Sequence, residues 1–197
     1  MQAKASALPD PKQDENAGAR NESITLAGGC FWGVQAVFQH VKGVTSAVSG
    51  YAGGDAGTAH YERVGSGATG HAESVQVTYD TSEVTLGQLL KVYFAVAHNP
   101  TELNYQGPDH GTQYRSAIFY ANDEQKKIAE AYIAQLDKAK VFPAPIVTKL
   151  EPLKGFYKAE DYHQDYAKLH PDNFYIKIND LPKVTHLKEQ FPELYTE

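Results

Sequence analysis

Residues 23–41 read SITLAGGCFWGVQAVFQHV, and a change of rhythm inside this stretch decides how the chain folds. Ser23–Ala27 is a short run suited to a strand, and it ends in Gly28-Gly29. Beyond Cys30 the apolar residues Phe31, Val34, Val37, Phe38 and Val41 recur with the spacing that lines one face of a helix. Two glycines permit a tight turn and close approach to the backbone. Cys30 therefore stands at a strand-to-helix junction.

Working outward, Val44–Tyr51 reads as a strand and residues 52–70 as a Gly/Ala/Ser-rich loop. His71–Tyr79 alternates, with Val75, Val77 and Tyr79 on one face. Thr85–Ala97 predicts a helix with Leu86, Leu89, Leu90, Tyr93 and Phe94 inward. Asn99–Gly111 is a loop broken by Pro100, Gly107 and Pro108. Gln113–Tyr120 is a strand, and Asp123 is expected to cap a long helix through Ala139. Ile146–Leu150 is strand-like, Glu160–Leu169 a short helix, and the tail Pro182–Glu197 holds another. The order strand, helix, strand, strand, helix, strand is that of a ferredoxin-like split βαβ plait. The expected class is α+β: a two-layer sandwich of a mixed sheet with helices packed on it and long loops. Residues 1–22 are polar and read as a disordered arm, leaving 23–197 as one catalytic domain.

The 197 residues are 42% hydrophobic and 21% charged, which suits a soluble protein with a real core. The net charge is -6 and the Lys and Arg residues are scattered, so no basic stripe points to nucleic acid. No apolar run approaches the ~20 residues of a membrane span. A single cysteine excludes an internal disulfide and a zinc site built on several thiolates. His71, His98, His110 and His163 form no close-spaced metal motif and read as structural or as supports behind the site's own side chains; neither a metal nor a bound cofactor is expected. The arm lacks the apolar middle of a signal peptide, yet its small residues suit the remnant of one, so both a cytoplasmic and a periplasmic location stay open.

The helix that follows Cys30 aims free N–H groups and a positive dipole end at the sulfur, which predicts a lowered thiol pKa and a reactive thiolate. The alternative is a buried cysteine acting as a small hydrophobe. Phe31 and Trp32 sit about 100° apart on a helix, so both cannot comfortably face the core and at least one is expected to line a pocket. An apolar wall there suits a methyl group, whose burial is worth roughly 0.8 kcal/mol.

Gly29-Cys30-Phe31-Trp32-Gly33 resembles the signature of the class A peptide methionine sulfoxide reductases. Further segments match in the same order: residues 48–54 (VSGYAGG), 69–73 (TGHAE), 98–101 (HNPT), 103–109 (LNYQGPD), 111–116 (GTQYRS) and 159–166 (AEDYHQDY). The resemblance implies that Cys30 attacks the sulfoxide sulfur and becomes a sulfenic acid, and that Glu73 protonates the sulfoxide oxygen. It implies that Tyr61 and Tyr114 hydrogen-bond that oxygen, that Asp109 helps to hold the site, and that Phe31 and Trp32 cage the methyl group. The chemistry agrees: sulfoxide oxygen leaves poorly until protonated, and a carboxyl can donate at neutral pH only if burial raises its pKa. The substrates implied are methionine S-sulfoxide, free or in oxidised proteins, and the chain is expected to act as a monomer.

Asn99 stands where the family often has Asp, and Tyr105 where Arg is common. Residues 168–197 lack the resolving cysteines of many relatives. An external thiol reductant must then regenerate Cys30: thioredoxin, glutaredoxin with glutathione, or a small dithiol. Two other readings compete. A Cys-dependent hydrolase needs a His base beside Cys30, which no motif supplies; a thiol peroxidase would turn over peroxide without sulfoxide. A non-catalytic domain would merely bury Cys30.

Overall fold

The structure, a computed structural model, describes residues 8–197. In chain order the elements are β1 (Asn21–Gly28), α1 (Phe31–Gln39), β2 (Val44–Ala52), α2 (Tyr61–Val64), β3 (Ala72–Asp80) and α3 (Leu86–Val92), which continues through a π-helical turn at Tyr93–Ala97. Next come β4 (Tyr105–Gln106), β5 (Asp109–His110), β6 (Ser116–Tyr120), α4 (Asp123–Ala139), β7 (Lys149–Pro152) and β8 (Phe156–Lys158). The chain ends with α5 (Tyr166–Leu169) and α6 (Leu181–Gln190), the latter entered through a π-helical turn at Ile176–Asp180.

The main sheet has the order β7-β6-β1-β3-β2-β8. β3 lies between β1 and β2 and is antiparallel to both. β1 and β2 therefore run parallel, joined by α1, which is a split βαβ unit. β6 completes the plait on the far side of β1, and β7 pairs with it in parallel, making the sheet mixed. The expected α+β plait is thus present, extended by one strand at each edge.

Alternation along the strands builds two apolar layers. Ile24, Leu26, Val75, Val77 and Ile118 join the helix faces carrying Phe38, Leu89, Leu90 and Tyr132 in the main core. Ala27, Ala52, Ala72, Ala117 and Phe119 form a thin cluster apart from it. Small residues there let loops lie close to the sheet.

Several expectations need correction. The N-cap of α4 is Asn122, whose Oδ1 accepts from the Gln125 N–H at 2.9 Å; Asp123 is the first helical residue. The strand expected from Gln113 begins at Ser116, because Thr112–Tyr114 makes a 3₁₀ turn. The helix expected over 160–169 is broken at Asp165, which adopts φ 57°.

The expected disordered arm is also corrected over residues 8–20; residues 1–7 lie outside the described residues. Leu8 is buried, and the Pro9 carbonyl accepts from the Tyr132 hydroxyl at 2.8 Å. Asp14 and Glu15 accept from the Gly87 and Leu86 N–H groups at 2.9 and 2.7 Å. These carboxylates, solvated-looking in the sequence, satisfy free N–H groups at the start of α3, where negative charge is stabilising.

Candidate active site

Cys30 occupies the N-cap position of α1 and makes no side-chain capping bond. Gly29 before it has φ 90°, and a Cβ there would lie 2.7 Å from the Gln106 side chain. Only glycine fits, so the turn that presents Cys30 is fixed by this contact. β3 pairs with β2, placing Glu73 opposite Tyr51. The Glu73 carboxyl, 3% exposed, accepts the first N–H of α1, from Phe31, at 3.1 Å.

A cavity of about 200 Å³ is lined by Cys30, Phe31, Trp32, Tyr61, Glu73, Asp109, Tyr114 and Tyr175. The structure thus brings together all seven residues singled out in the sequence. Phe31 is buried and Trp32 is half-buried, yet both reach the cavity. Trp32 is held on three sides. Its indole N–H donates to His163 Nδ1 at 3.1 Å, its ring stacks on Tyr166 at 3.8 Å and 11°, and Tyr175 meets it edge-on at 5.8 Å. Tyr61 opens α2, where its backbone N–H donates to Glu160 at 3.1 Å and its ring lies 4.3 Å from His163. Tyr114 ends the 3₁₀ turn that Arg115 ties to the Gly70 carbonyl at 2.9 Å and to Glu151 at 3.1 Å. Asp109 faces Gln106 across the β4–β5 hairpin.

Sequence reasoning missed Tyr175, whose hydroxyl donates to the Asp109 carboxylate. Its signal was weak: Tyr175, Asn179 and Lys183 recur every fourth residue in a segment with no strong apolar period. Of the departures from the family pattern, Asn99 shapes the adjoining loop. Its Oδ1 accepts from Thr101 Oγ1 at 2.7 Å, and its backbone N–H donates to Gln106 at 2.9 Å. Tyr105 stacks on His110 at 5.3 Å on the hairpin and lines no part of this cavity.

Electrostatics divide the site. Burial pushes the Glu73 carboxyl up to about 8, with a smaller push from Asp109, against the opposing Phe31 hydrogen bond. Glu73 is thus a neutral acid at pH 7. Tyr61 is pushed up to about 12, and Tyr114 also upward, mainly by burial, so both stay proton donors. The Cys30 thiol is pushed up as well, by burial first and then by Glu73, Asp180 and Asp109, with only the Trp32 N–H opposing. This corrects the expected low-pKa thiolate. The first N–H of α1 is spent on Glu73, and three carboxyl groups converge where the dipole alone was considered.

His98 Nδ1 donates to the Tyr93 carbonyl at 3.0 Å, its Nε2 accepts from Ser116 Oγ at 2.7 Å, and burial drives its pKa down to about 3. It is a neutral structural group. Among the described residues no group of three or more His, Cys, Asp or Glu side chains is arranged to hold a metal ion. A roomier groove of about 720 Å³, between residues 9–13 and α4, contains none of the side chains named above.

Comparison with known proteins adds a separate line of evidence. The family model described as peptide methionine sulfoxide reductase matches residues 22–195. The chain is 66% identical over 184 residues to "Peptide methionine sulfoxide reductase MsrA 2" of Mesorhizobium japonicum, covering 93% of this chain and 94% of that protein. Among solved structures it resembles reduced Mxr1 of Saccharomyces cerevisiae, with TM-score 0.71, 36% identity, and coverage of 83% of this chain and 93% of that one. It also resembles Mxr1 in complex with Trx2, with TM-score 0.51, 28% identity, and coverage of 79% and 91%.

Proposed function

Because the chain belongs to the class A peptide methionine sulfoxide reductases, a family of oxidoreductases that act on methionine sulfoxide, we propose that it reduces methionine S-sulfoxide, free or in oxidised proteins, with Cys30 as nucleophile. One observation carries the mechanism: a lone sulfur shares a cavity of about 200 Å³ with a buried carboxyl, which burial pushes up to about 8, and with the phenols of Tyr61, Tyr114 and Tyr175.

The substrate's methyl group packs against Phe31 and Trp32, and its oxygen points to Glu73, Tyr61 and Tyr114. The Cys30 sulfur attacks the sulfoxide sulfur while Glu73 hands its proton to the departing oxygen. The phenols stabilise charge gathering on that oxygen, as oxyanion-hole donors do. Raised pKa values suit this order of events. A neutral Glu73 removes one of the charges that hold the thiol up, while burial, the larger cause, keeps Cys30 protonated until it loses its proton to solvent in the attack. The hydroxyl then passes from the methionine sulfur to the Cys30 sulfur as the S–S bond and the substrate's S–O bond break, leaving methionine and a sulfenic acid on Cys30.

Regeneration draws on an external thiol, because the chain has no second cysteine. Thioredoxin is favoured by the solved complex of the related Mxr1 with Trx2; glutaredoxin with glutathione, or a small dithiol, would perform the same exchange. With dithiothreitol supplied, the S epimer should yield methionine and the R epimer none, and Cys30→Ser should be inactive. Turnover by Cys30→Ser, or of the R epimer alone, would overturn the reading.

A further inference from the structure

Cys30 lines two cavities. Beyond the aromatic cavity it borders a second one, of about 230 Å³, whose lining includes Asn99, Glu102, Gln106, Asn179 and Lys183; Tyr175 lines both. The second cavity holds an ammonium instead of stacked rings. Lys183 Nζ lies 3.8 Å from Asp180 Oδ1, beyond hydrogen-bond length, and its side chain is 17% exposed. Among the described residues it donates no hydrogen bond. The other titratable groups around it are accounted for. Asp180, buried in the same helical segment, is the ion-pair partner of Lys183, and neither of its carboxylate oxygens accepts a hydrogen bond among the described residues. Glu102 accepts from the Gly107 N–H at 3.0 Å. His98 is neutral, and Tyr175 donates to Asp109. Lys183 is thus the cation lining this cleft, paired with Asp180 alone and donating no hydrogen bond among the described residues.

We propose that this cleft is the reductant's approach to Cys30, and that Lys183 receives the incoming thiolate. The inference rests on the reductase reading, since it concerns the sulfenic acid that reading creates. The external thiol loses its proton to solvent, and its sulfur forms an S–S bond with the Cys30 sulfur. The S–O bond breaks, and hydroxide leaves and takes a proton from solvent to become water. A second thiolate then attacks the outer sulfur, the S–S bond breaks, and Cys30 departs as thiolate. The two external thiols supply two electrons and end as a disulfide. Entry through two different cavities lets sulfoxide and thiol reach Cys30 without sharing a pocket.

A cation beside the entering thiol raises its ionised fraction. Each unit of lowered pKa gives about tenfold more thiolate and costs about threefold in nucleophilicity, a net gain of about threefold below the thiol's pKa. The thiol has two possible sources, a small molecule or a protein. Phe174, Ile178 and Leu181, at 77%, 55% and 36% exposure, form an apolar stripe on the same helical segment as the cleft-lining Tyr175 and Asn179. That stripe offers a footing only to a protein thiol.

The test separates this half-reaction from the sulfoxide chemistry. Cys30 is oxidised with one equivalent of hydrogen peroxide, and loss of the added oxygen is timed by quenched mass spectrometry with dithiothreitol, glutathione or reduced thioredoxin. Lys183→Met should slow dithiothreitol and glutathione about three- to tenfold at pH 7, the gap closing above an ordinary thiol pKa of about 8.5, and should slow thioredoxin, whose thiol pKa is about 7, by less; Lys183→Arg should stay within about twofold of wild type. Wild-type rates in Lys183→Met, or a gap equal at every pH, would overturn the proposal. Phe174→Ser/Ile178→Ser assigns the source: slowing confined to thioredoxin marks a protein thiol, and no slowing with any of the three marks a small one.

Discussion

Cys30 is held between two regions of different build. Its floor is regular: β1 delivers the sulfur, β3 delivers Glu73, and the first N–H of α1 joins them at 3.1 Å. Its rim is irregular. Residues 160–183 wrap over the sheet edge as a 3₁₀ turn, a four-residue helix and a π-helical turn, and they supply His163, Tyr166, Tyr175 and Lys183. Charge and proton chemistry sit mainly on the floor. Shape and access are set by the rim. A paired strand fixes a carboxyl where a small shift would expose it and lose its raised pKa, whereas an aromatic wall tolerates looser backbone because rings pack by area.

The contrast can be broken first at the floor. Glu73→Gln keeps the shape and removes the proton, so kcat should fall about 10²–10³-fold. The pH profile supplies the sign: the acid form of Glu73 works, so wild-type activity declines as pH rises through about 8, and that limb should be missing in the variant. A retained limb would move the general acid elsewhere. At the rim, Tyr175→Phe removes the donor to Asp109 while keeping the ring against Trp32. One hydrogen bond to a charged group is worth about 1.5–3 kcal/mol when fully counted, but the aspartate remains near solvent, so kcat/KM should drop only about three- to tenfold. A loss as large as that of Glu73→Gln would erase the distinction between floor and rim. Smallest for catalysis is Asp14→Ala, outside both regions. It removes an acceptor at the α3 N-terminus and should cost about 0.5–2 kcal/mol in urea unfolding with turnover unchanged.

The floor was legible in the sequence and the rim was not, for physical reasons. Strand alternation and the 3.6-residue period are strong in β1, α1, β2 and β3, so the split βαβ core and the placement of Cys30 follow from spacing alone. Glu73, Tyr61, Tyr114 and Asp109 carried no such signal; they came through resemblance to a family and then converged on one cavity. β8 is three residues long, too short for any period to show. Tyr175 lies beside a π-helical turn whose spacing matches neither template. The upward shift of Cys30 could not be read locally, because Glu73, Asp109 and Asp180 are distant in sequence and meet only after the sheet and the C-terminal segment have closed. The N-terminal carboxylates misled in the opposite way: they look solvated, yet they cap a helix.

One sulfur takes the oxygen and keeps it until an outside thiol arrives. The decisive experiment incubates the protein with methionine S-sulfoxide in the absence of any thiol, followed by peptide mass spectrometry. One methionine should be released per chain and one oxygen gained, on the peptide containing Cys30. Methionine release with Cys30 unmodified, or oxygen gained at another residue, would contradict it.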